Sequence, residues 1–314
     1  MTKVIVTGVA GFIGSNLTKR LLKEGYEVVG IDSFEDYYPR WIKERNLTEL
    51  KQHNGFKLVE NNLIELDLKY MVKDVDYVFH QAAQPGVRGS FGQFFNVYVT
   101  NNIIATQKLL EAVKGSGIKR LVYASSSSVY GNTPVLPAKE EGGLMPYSPY
   151  GVTKMAAEQL VKVYNDNFGV PCVSLRYFTV YGPGQRPDMA FHRFIKAILE
   201  SKPITIYGDG KQTRDFTYVS DIVHANILAL NAPEGAVFNA GGGTRIGLIE
   251  VVNMIGKLMG TEPKIEFNMS QKGDVRDTWS DLSNAQAKLG YKTEVALEQG
   301  LLQEIEYIKQ LYSL

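Results

Sequence analysis

Residues 4–14 of the chain, VIVTGVAGFIG, join a short apolar run to a glycine-rich turn, and an amphipathic segment follows them. A short run of β-branched residues that ends in glycine indicates a buried strand and a turn. Gly8, Gly11 and Gly14 have the spacing GxxGxxG, which differs from the GxGxxG of the commonest dinucleotide-binding turn. Both spacings allow a tight turn, a close approach of the backbone to a pyrophosphate, and close packing of helix on strand. We therefore expect a dinucleotide here; the alternative is a glycine-rich turn that binds nothing.

Outward from this turn, short apolar runs alternate with segments whose apolar residues have helical spacing. The strand-like runs are residues 4–8, 27–32, 56–60, 77–82, 120–126 and 172–178, and two of the helical segments are residues 15–25 and 100–117. Regular alternation of strands and helices predicts an α/β fold, in which helices cover both faces of a parallel sheet.

The rhythm changes after residue 178, where loops become longer and richer in glycine and proline. We expect a nucleotide-binding domain at 1–178 and a smaller substrate-binding α/β region at 179–314, folded over the carboxyl ends of the strands, where open α/β sheets bind ligands. Residues 217–240 are expected to pack back on the first domain.

Composition excludes several classes of function. The 314 residues carry a formal net charge of +1, so no basic field favours nucleic acid. No apolar stretch reaches the roughly 18 residues of a membrane span, and no signal-peptide pattern precedes the first strand. Cys172 is the only cysteine, which fits a reducing compartment, and we expect a cytoplasmic protein. The four histidines lack the spacing of metal ligands, so no metal site is expected.

Asp32 ends the second strand-like run, 18 residues after Gly14. A carboxylate at this position can accept hydrogen bonds from the adenosine ribose and would repel a 2′-phosphate. Asp32 therefore favours NAD over NADP, unless it merely caps the polar loop that follows.

Tyr150 and Lys154 stand four residues apart in the sequence YGVTK, which places both on one face of a helix. A tyrosine hydroxyl titrates near pH 10, so it needs a nearby positive charge to act as a base at neutral pH. Lys154 can supply that charge, while also holding the cofactor ribose.

Several motifs occur together and in order. They are TGVAGFIG at 7–14, HQAAQ at 80–84, SSSSVYG at 125–131, YGVTK at 150–154 and RYFTVYGP at 176–183. This set resembles the extended short-chain dehydrogenase/reductase family over nearly the whole chain. The resemblance implies a Rossmann-type doubly wound sheet, bound NAD, and a nucleotide-sugar substrate.

The resemblance also implies which residues bind the two molecules. The expected NAD-binding residues are Gly8, Gly11, Phe12, Ile13, Gly14, Asp32, Asn62, Leu63, Ala82, Ala83, Tyr150, Lys154 and Tyr177. The expected substrate-binding residues are Arg88, Ser126, Ser127, Ser128, Tyr150, Thr179, Arg186, Met189, Arg214 and Arg276. Asn62 departs from relatives that often have an aspartate contacting adenine, but its amide can still donate and accept hydrogen bonds.

In the epimerases of this family, tyrosine takes the proton of the sugar 4-hydroxyl while hydride moves from C4 to NAD. The 4-keto sugar then rotates, and hydride returns to its other face. Ser126 matches the residue that hydrogen-bonds the 4-hydroxyl beside Tyr150; alternatively, the four serines merely end a strand. The predicted catalytic residues are Tyr150, Lys154 and Ser126.

Two features favour UDP-glucuronate as the substrate. Ser127 and Ser128 stand where the family's dehydratases carry an Asp-Glu pair, and hydroxyls do not repel a substrate carboxylate. Arg186, in a segment that resembles the substrate loop of UDP-glucuronate 4-epimerases, can hold the C6 carboxylate or shape the pocket around it, unless it is a surface arginine. The rivals are a UDP-glucose or UDP-N-acetylglucosamine 4-epimerase, and a non-catalytic NAD-sensing regulator, in which the Tyr/Lys pair is commonly lost.

Arg88 and Arg214 match basic positions near the substrate diphosphate. Arg276 lies in a similar segment, but several relatives have their arginine a few residues earlier, where this chain reads Ser270-Gln271-Lys272. The apolar-periodic stretches 92–112 and 150–168 match helices that pair two subunits in this family, so we expect a homodimer; buried core helices would show the same periodicity.

Overall fold

One parallel sheet of seven strands forms the centre of the computed structural model, which describes residues 1–313. Its strands are β1 (Lys3–Thr7), β2 (Glu27–Asp32), β3 (Phe56–Glu60), β4 (Tyr77–His80), β5 (Arg120–Ser126), β6 (Cys172–Tyr177) and, later in the chain, β11 (Val237–Ala240). Their spatial order is β11-β6-β5-β4-β1-β2-β3, with every neighbouring pair parallel. This is the predicted doubly wound sheet.

Helices and short strand pairs complete the fold. The helices are α1 (Phe12–Lys23), α2 (Arg40–Leu47), α3 (Leu68–Met71), α4 (Phe95–Tyr98), α5 (Ala105–Val113), α6 (Pro149–Phe168), α7 (Ala190–Leu199), α8 (Val219–Leu228), α9 (Leu248–Leu258), α10 (Ser283–Leu289) and α11 (Leu297–Tyr312). The remaining strands are β7 (Thr179–Tyr181), β8 (Ile204–Tyr207), β9 (Thr213–Arg214), β10 (Phe216–Tyr218), β12 (Ile246–Gly247) and β13 (Ile265–Asn268), which pair as β7 with β10, β9 with β12 and β8 with β13. None of the helices in residues 1–313 combines the length and apolar character that crossing a membrane requires.

The glycine turn brings α1 close to the sheet. Gly8 has φ +70°, a left-handed conformation that glycine adopts without steric cost. A Cβ added at Gly14 would lie 2.1 Å from the Gly8 carbonyl oxygen, so only glycine allows this contact between helix and turn. Side chains of β1 then pack on both faces: Val4 and Val6 in one buried cluster, and Ile5 in the other.

The predicted helix over residues 100–117 differs from the observed one. A six-residue π-helical segment, Val99–Ile104, precedes α5. Its wider turn presents the buried Asn102 side chain to a neighbouring loop and to α6: its oxygen accepts from the Gln84 backbone N–H at 2.6 Å, and its amide donates to Thr153 Oγ1 at 2.9 Å. Apolar periodicity carries no signal for such a segment.

Later parts of the chain return to the sheet or hold its loops. β11 pairs with β6 at the sheet edge, and α8 packs against α1. The N–H of Gly182, in the loop after β7, donates to Glu304 of α11 at 2.8 Å, and Glu304 is fully buried. The division into an NAD-binding part and a substrate-binding part stays a prediction.

Candidate active site

The site lies at the carboxyl ends of the strands, beside the point where the strand order reverses between β1 and β4. Ligands of open α/β sheets bind at such switch points. A cavity of about 230 Å³ opens there. It is lined by every residue that the sequence predicts to bind NAD: Gly8, Gly11, Phe12, Ile13, Gly14, Asp32, Asn62, Leu63, Ala82, Ala83, Tyr150, Lys154 and Tyr177.

The walls of this first cavity fit an anionic dinucleotide. Gly11 is the N-cap of α1 and has no side chain to accept from the first-turn N–H groups, which leaves them for a ligand anion. Asp32 lies beside the glycine turn, where one carboxylate oxygen accepts from the Ala10 N–H at 2.9 Å and the other from the Phe34 N–H at 2.8 Å. Burial raises the pKa of the Asp32 carboxyl, against the effect of these hydrogen bonds and of Lys43. The remaining lone pairs of the carboxylate can accept ribose hydroxyls.

The strand β5 and the helix α6 bring the three predicted catalytic residues together. Pro149 begins α6, and the Ser148 hydroxyl caps it by accepting from the Gly151 N–H at 3.1 Å. Tyr150 and Lys154 lie one helical turn apart. The Lys154 ammonium donates to the Ala124 carbonyl of β5 at 2.5 Å and lies 4.5 Å from the centre of the Tyr123 ring.

Burial and charge oppose each other at this pair. Burial raises the pKa of Tyr150, whereas a hydrogen bond with Ser126 and the positive charge of Arg186 lower it. Burial lowers the pKa of Lys154 to about 7, and the Glu158 carboxylate acts in the opposite direction. Both groups therefore lie in surroundings that disfavour their charged forms, and neighbouring charges decide the balance.

A second cavity, of about 590 Å³, adjoins the first and shares Tyr150, Tyr177 and Arg186 with it. Nine of the ten predicted substrate-binding residues line it: Arg88, Ser126, Ser127, Ser128, Tyr150, Thr179, Arg186, Met189 and Arg214. The tenth, Arg276, is not brought to it. Its side chain is exposed and pairs with Asp209 at 3.4 Å, so the prediction that Arg276 binds substrate gains no support from its position.

The three arginines of the second cavity that the sequence predicts to bind substrate already have protein partners. Arg186 donates from Nε and Nη2 to the two carboxylate oxygens of Asp188, each at 2.9 Å. Arg88 pairs with Asp274 at 2.7 Å. Arg214 donates to backbone carbonyls of the segment that also carries Asp274, including Val275 O at 2.8 Å. The sequence does not reveal the partners of Arg88 and Arg214, since these come from a segment far along the chain, whereas Asp188 is only two residues from Arg186.

Other residues of the cavities have no assigned role from sequence. Lys43 of α2 donates to the Glu35 carbonyl at 2.5 Å, and its positive charge lowers the pKa of Asp32. Further lining residues without a predicted role are Gln81, Gln84, Asn101, Tyr147, Arg193, Tyr207 and Gln212. They lie in loops, on helix faces and, for Tyr207, at the end of β8. Gln81 and Gln84 belong to the motif HQAAQ at 80–84, and Lys43 follows the segment Asp36-Tyr37-Tyr38, which resembles an insert of UDP-glucuronate 4-epimerases; the others have no sequence signal.

Comparison with models of known protein families shows the family of this chain. Residues 4–241 match the model of the NAD dependent epimerase/dehydratase family, which is more than half of the chain. The chain belongs to that family. As an epimerase/dehydratase, it has NAD as its cofactor, and its turn, Asp32 and Tyr-Lys pair lie around the same cavity.

Three relatives span the same length as this epimerase/dehydratase. UDP-glucuronate 4-epimerase of Thermodesulfobacterium geofontis is 41% identical, over 98% of this chain and 96% of the relative. An uncharacterised UDP-glucose epimerase of Bacillus subtilis is 45% identical, over 99% of each. The crystal structure of UDP-glucuronic acid 4-epimerase from Bacillus cereus, in complex with UDP-glucuronic acid and NAD, is 46% identical with a TM-score of 0.97, covering 99% of this chain and 100% of that one.

Asp32→Asn is expected to weaken NAD binding by about ten-fold or more. An amide offers one acceptor where two backbone N–H groups now donate, so a charge-assisted hydrogen bond is lost, worth about 1.5–3 kcal/mol. Calorimetric titration of NAD into cofactor-stripped protein measures the change. Asp67→Asn is the control, since Asp67 only caps α3 at the surface. Unchanged affinity in Asp32→Asn would remove Asp32 from the cofactor site.

Proposed function

We propose that this chain is an NAD-dependent UDP-glucuronate 4-epimerase, which interconverts UDP-glucuronate and UDP-galacturonate. The observation that carries the proposal is the shared position of Tyr150. It borders the NAD-fitting cavity on one side and the large second cavity, with its serines and Arg186, on the other. A group at this junction can reach both a sugar and a cofactor.

The residues of the first cavity hold the cofactor. The α1 N-terminus binds the pyrophosphate, Asp32 the adenosine ribose, and Lys154 the ribose next to the nicotinamide. When bound, NAD accepts the hydride of the sugar C4 and returns it to the opposite face, so it must be retained through each turnover. Gly8 and Gly14 let the turn pack closely against Ala82 and α1, which places the N-terminus of α1 at the wall of this cavity.

Tyr150 removes the proton from the sugar 4-hydroxyl and later returns it. Burial disfavours the phenolate, whereas the hydrogen bond from Ser126 and the positive charge of Arg186 favour it. The Lys154 ammonium, one turn of α6 from Tyr150, is the further positive charge that the proposal assigns to its support. Ser126 also lies at the wall of the second cavity, where its hydroxyl can orient the 4-hydroxyl toward Tyr150. General-base catalysis requires that Tyr150 be within hydrogen-bond reach of the 4-hydroxyl as well as having a suitable pKa. Its place between the two cavities allows that reach.

The second cavity suits a sugar acid. Ser127 and Ser128 supply hydroxyls and no negative charge, so they can donate to a carboxylate. Of the five N–H donors of Arg186, two bind Asp188, which leaves three for a substrate carboxylate. The oxidised uronate is a β-keto acid that tends to lose carbon dioxide, and a firm hold on the carboxylate in an unreactive orientation prevents the loss. Arg88 and Arg214, at the same cavity, bind the diphosphate, and residues 179–314 supply most of the sugar-nucleotide site.

Tyr150→Phe is expected to lower kcat for epimerisation of UDP-glucuronate by about 10²–10⁴-fold, because the proton acceptor is lost. Bound NAD should stay at the wild-type stoichiometry. Product is separated by anion-exchange chromatography after incubation without added NAD. Tyr147→Phe is the control, since Tyr147 lines the second cavity but lies outside α6. Full activity in Tyr150→Phe, or conversion of UDP-glucose and UDP-N-acetylglucosamine but not of UDP-glucuronate by the wild type, contradicts the proposal.

Arg186→Met is expected to lower kcat/KM for UDP-glucuronate about 10–100-fold, since a charged hydrogen bond is worth about 1.5–3 kcal/mol. For UDP-glucose, which lacks the carboxylate, the loss should be only a few-fold. Mass spectrometry should detect UDP-4-keto-pentose, the product of decarboxylation. Asp188→Asn is the matched variant, because it keeps the guanidinium and should keep the preference for the uronate. Equal losses with both sugars would assign Arg186 a purely structural role.

We also propose that two chains form a dimer through α4, α5 and α6. Large apolar side chains on these helices, just before α4 and between α4 and α5 are exposed: Phe94, Val97, Ile104, Val152, Val163 and Phe168. A concentration of exposed apolar side chains is typical of a protein–protein interface.

Sedimentation velocity at micromolar concentration is expected to give the mass of two chains, and Ile104→Glu should give one. Tyr70→Glu, which alters an exposed aromatic residue elsewhere, should leave the dimer intact. A single-chain mass for the wild type would contradict the dimer.

A further inference from the structure

The buried carboxylate of Glu158 lies directly behind the catalytic pair. Glu158 follows Lys154 by one turn of α6, and both side chains are at most 3% exposed. Carboxylates are rarely this buried unless they are paired. The proposed reaction uses Tyr150 and Lys154 but gives Glu158 no task.

Successive residues at the end of β5 contact successive turns of α6. The Ala124 carbonyl accepts from the Lys154 ammonium at 2.5 Å, and the Ser125 hydroxyl donates to the Glu158 carboxylate at 2.5 Å. The hydrogen bond of Ser126 goes to Tyr150. Three neighbouring residues of β5 therefore hold three successive turns of α6. Among the three α6 residues, Glu158 lies farthest from the N-terminus of the helix.

Arg176 fixes the other side of Glu158. It lies on β6 in register with Ser125 and donates to Glu158 from Nη2 at 2.6 Å and from Nε at 3.1 Å. Its third nitrogen donates to the Tyr130 hydroxyl at 2.8 Å. Glu158 thus has its orientation set by two strands, and its charge stays at a constant place relative to Lys154.

We propose that Glu158 is a positioning residue of the epimerase site, which keeps the Lys154 ammonium charged and sets the register of β5 on α6. The inference rests on the proposed function, since it concerns the base that the function requires. Glu158 does not touch the substrate; it acts through Lys154 and Ser125.

Every other charged or titratable group around Lys154 fails to supply its counter-charge. Burial raises the pKa of Tyr123 on β5 well above its usual value, so its hydroxyl stays neutral, and Tyr150 on α6 is the group whose phenolate Lys154 itself has to support. His80 on β4 has its pKa lowered to about 3 by burial and by Lys154 itself, so it stays neutral. Arg176 is positive. Glu158 is the one carboxylate that raises the pKa of Lys154.

Removal of the Glu158 charge should change the pKa of Lys154 in one direction. Burial already lowers the pKa of Lys154 to about 7, and loss of Glu158 lowers it further. Lys154 then loses its proton at lower pH, and the support it gives to the Tyr150 phenolate is lost with it. The alkaline limb of the kcat profile should therefore move to lower pH.

The test compares kcat from pH 5.5 to 9.5 for Glu158→Gln, Glu158→Asp and Asp166→Asn, each with its NAD content measured. Glu158→Gln should move the alkaline limb down by about half a pH unit or more and lower kcat at pH 8 about ten-fold, with KM little changed. Glu158→Asp keeps the charge and should restore the wild-type profile. Asp166→Asn, which removes an exposed carboxylate from the same helix, should change neither.

Glu158→Gln leaves Arg176 without a counter-charge and can impair folding. The double variant Glu158→Gln/Arg176→Gln removes both charges, and its alkaline limb should move in the same direction by a smaller amount. A lower yield or melting temperature with an unshifted profile in the folded variants would overturn the proposal, because a purely structural brace predicts that result. If the wild type does not epimerise UDP-glucuronate, the proposed function is wrong. Failure of the proposed function can therefore be told apart from failure of the Glu158 proposal.

Discussion

The hydrogen bond between the Lys154 ammonium and the Ala124 carbonyl joins the sheet to α6, and the rest of the candidate site depends on it. It fixes the depth of α6 against β5, and therefore the position of Tyr150 between the two cavities. The carbonyl that accepts this bond belongs to Ala124 of β5, one residue beyond the last pair between β4 and β5, His80 with Tyr123. The geometry of the sheet thus supplies the acceptor, and the helix supplies the charge.

Burial of charge is the main energetic cost of this arrangement. Lys154, Glu158 and Arg176 are all nearly inaccessible to solvent, and each would be costly alone. Glu158 and Arg176 form an ion pair with further hydrogen bonds to Ser125 and Tyr130, and Lys154 donates to the Ala124 carbonyl beside them. Such networks tolerate little substitution, because removal of one member leaves the others buried and unpaired. Because each buried charge needs its partner in place, the positions of these side chains are closely fixed.

The sequence predicted the features that depend on local spacing. The glycine turn, Asp32 and the Tyr150–Lys154 pair were recognisable because each occupies a fixed position relative to a strand or a helix. The ion pair between Arg88 and Asp274 was not, since the two residues are separated by 186 positions and meet only in the folded chain. The π-helical segment around Asn102 was missed because the same apolar periodicity is expected of an α-helix. Glu158 could have been noticed as a carboxylate on the buried face of α6, although nothing in the sequence indicates its partner.

The hydrogen bond between the Gly182 N–H and Glu304 affects the order in which parts of the chain can fold during synthesis. The loop after β7 includes Gly182 and leads to Arg186, but the side chain that anchors it is 122 residues further along. A ribosome delivers the strands β1 to β6 first, and the cofactor cavity can form around them. The second cavity has to wait for α11, so the walls of the first cavity can form in a nascent chain well before those of the second.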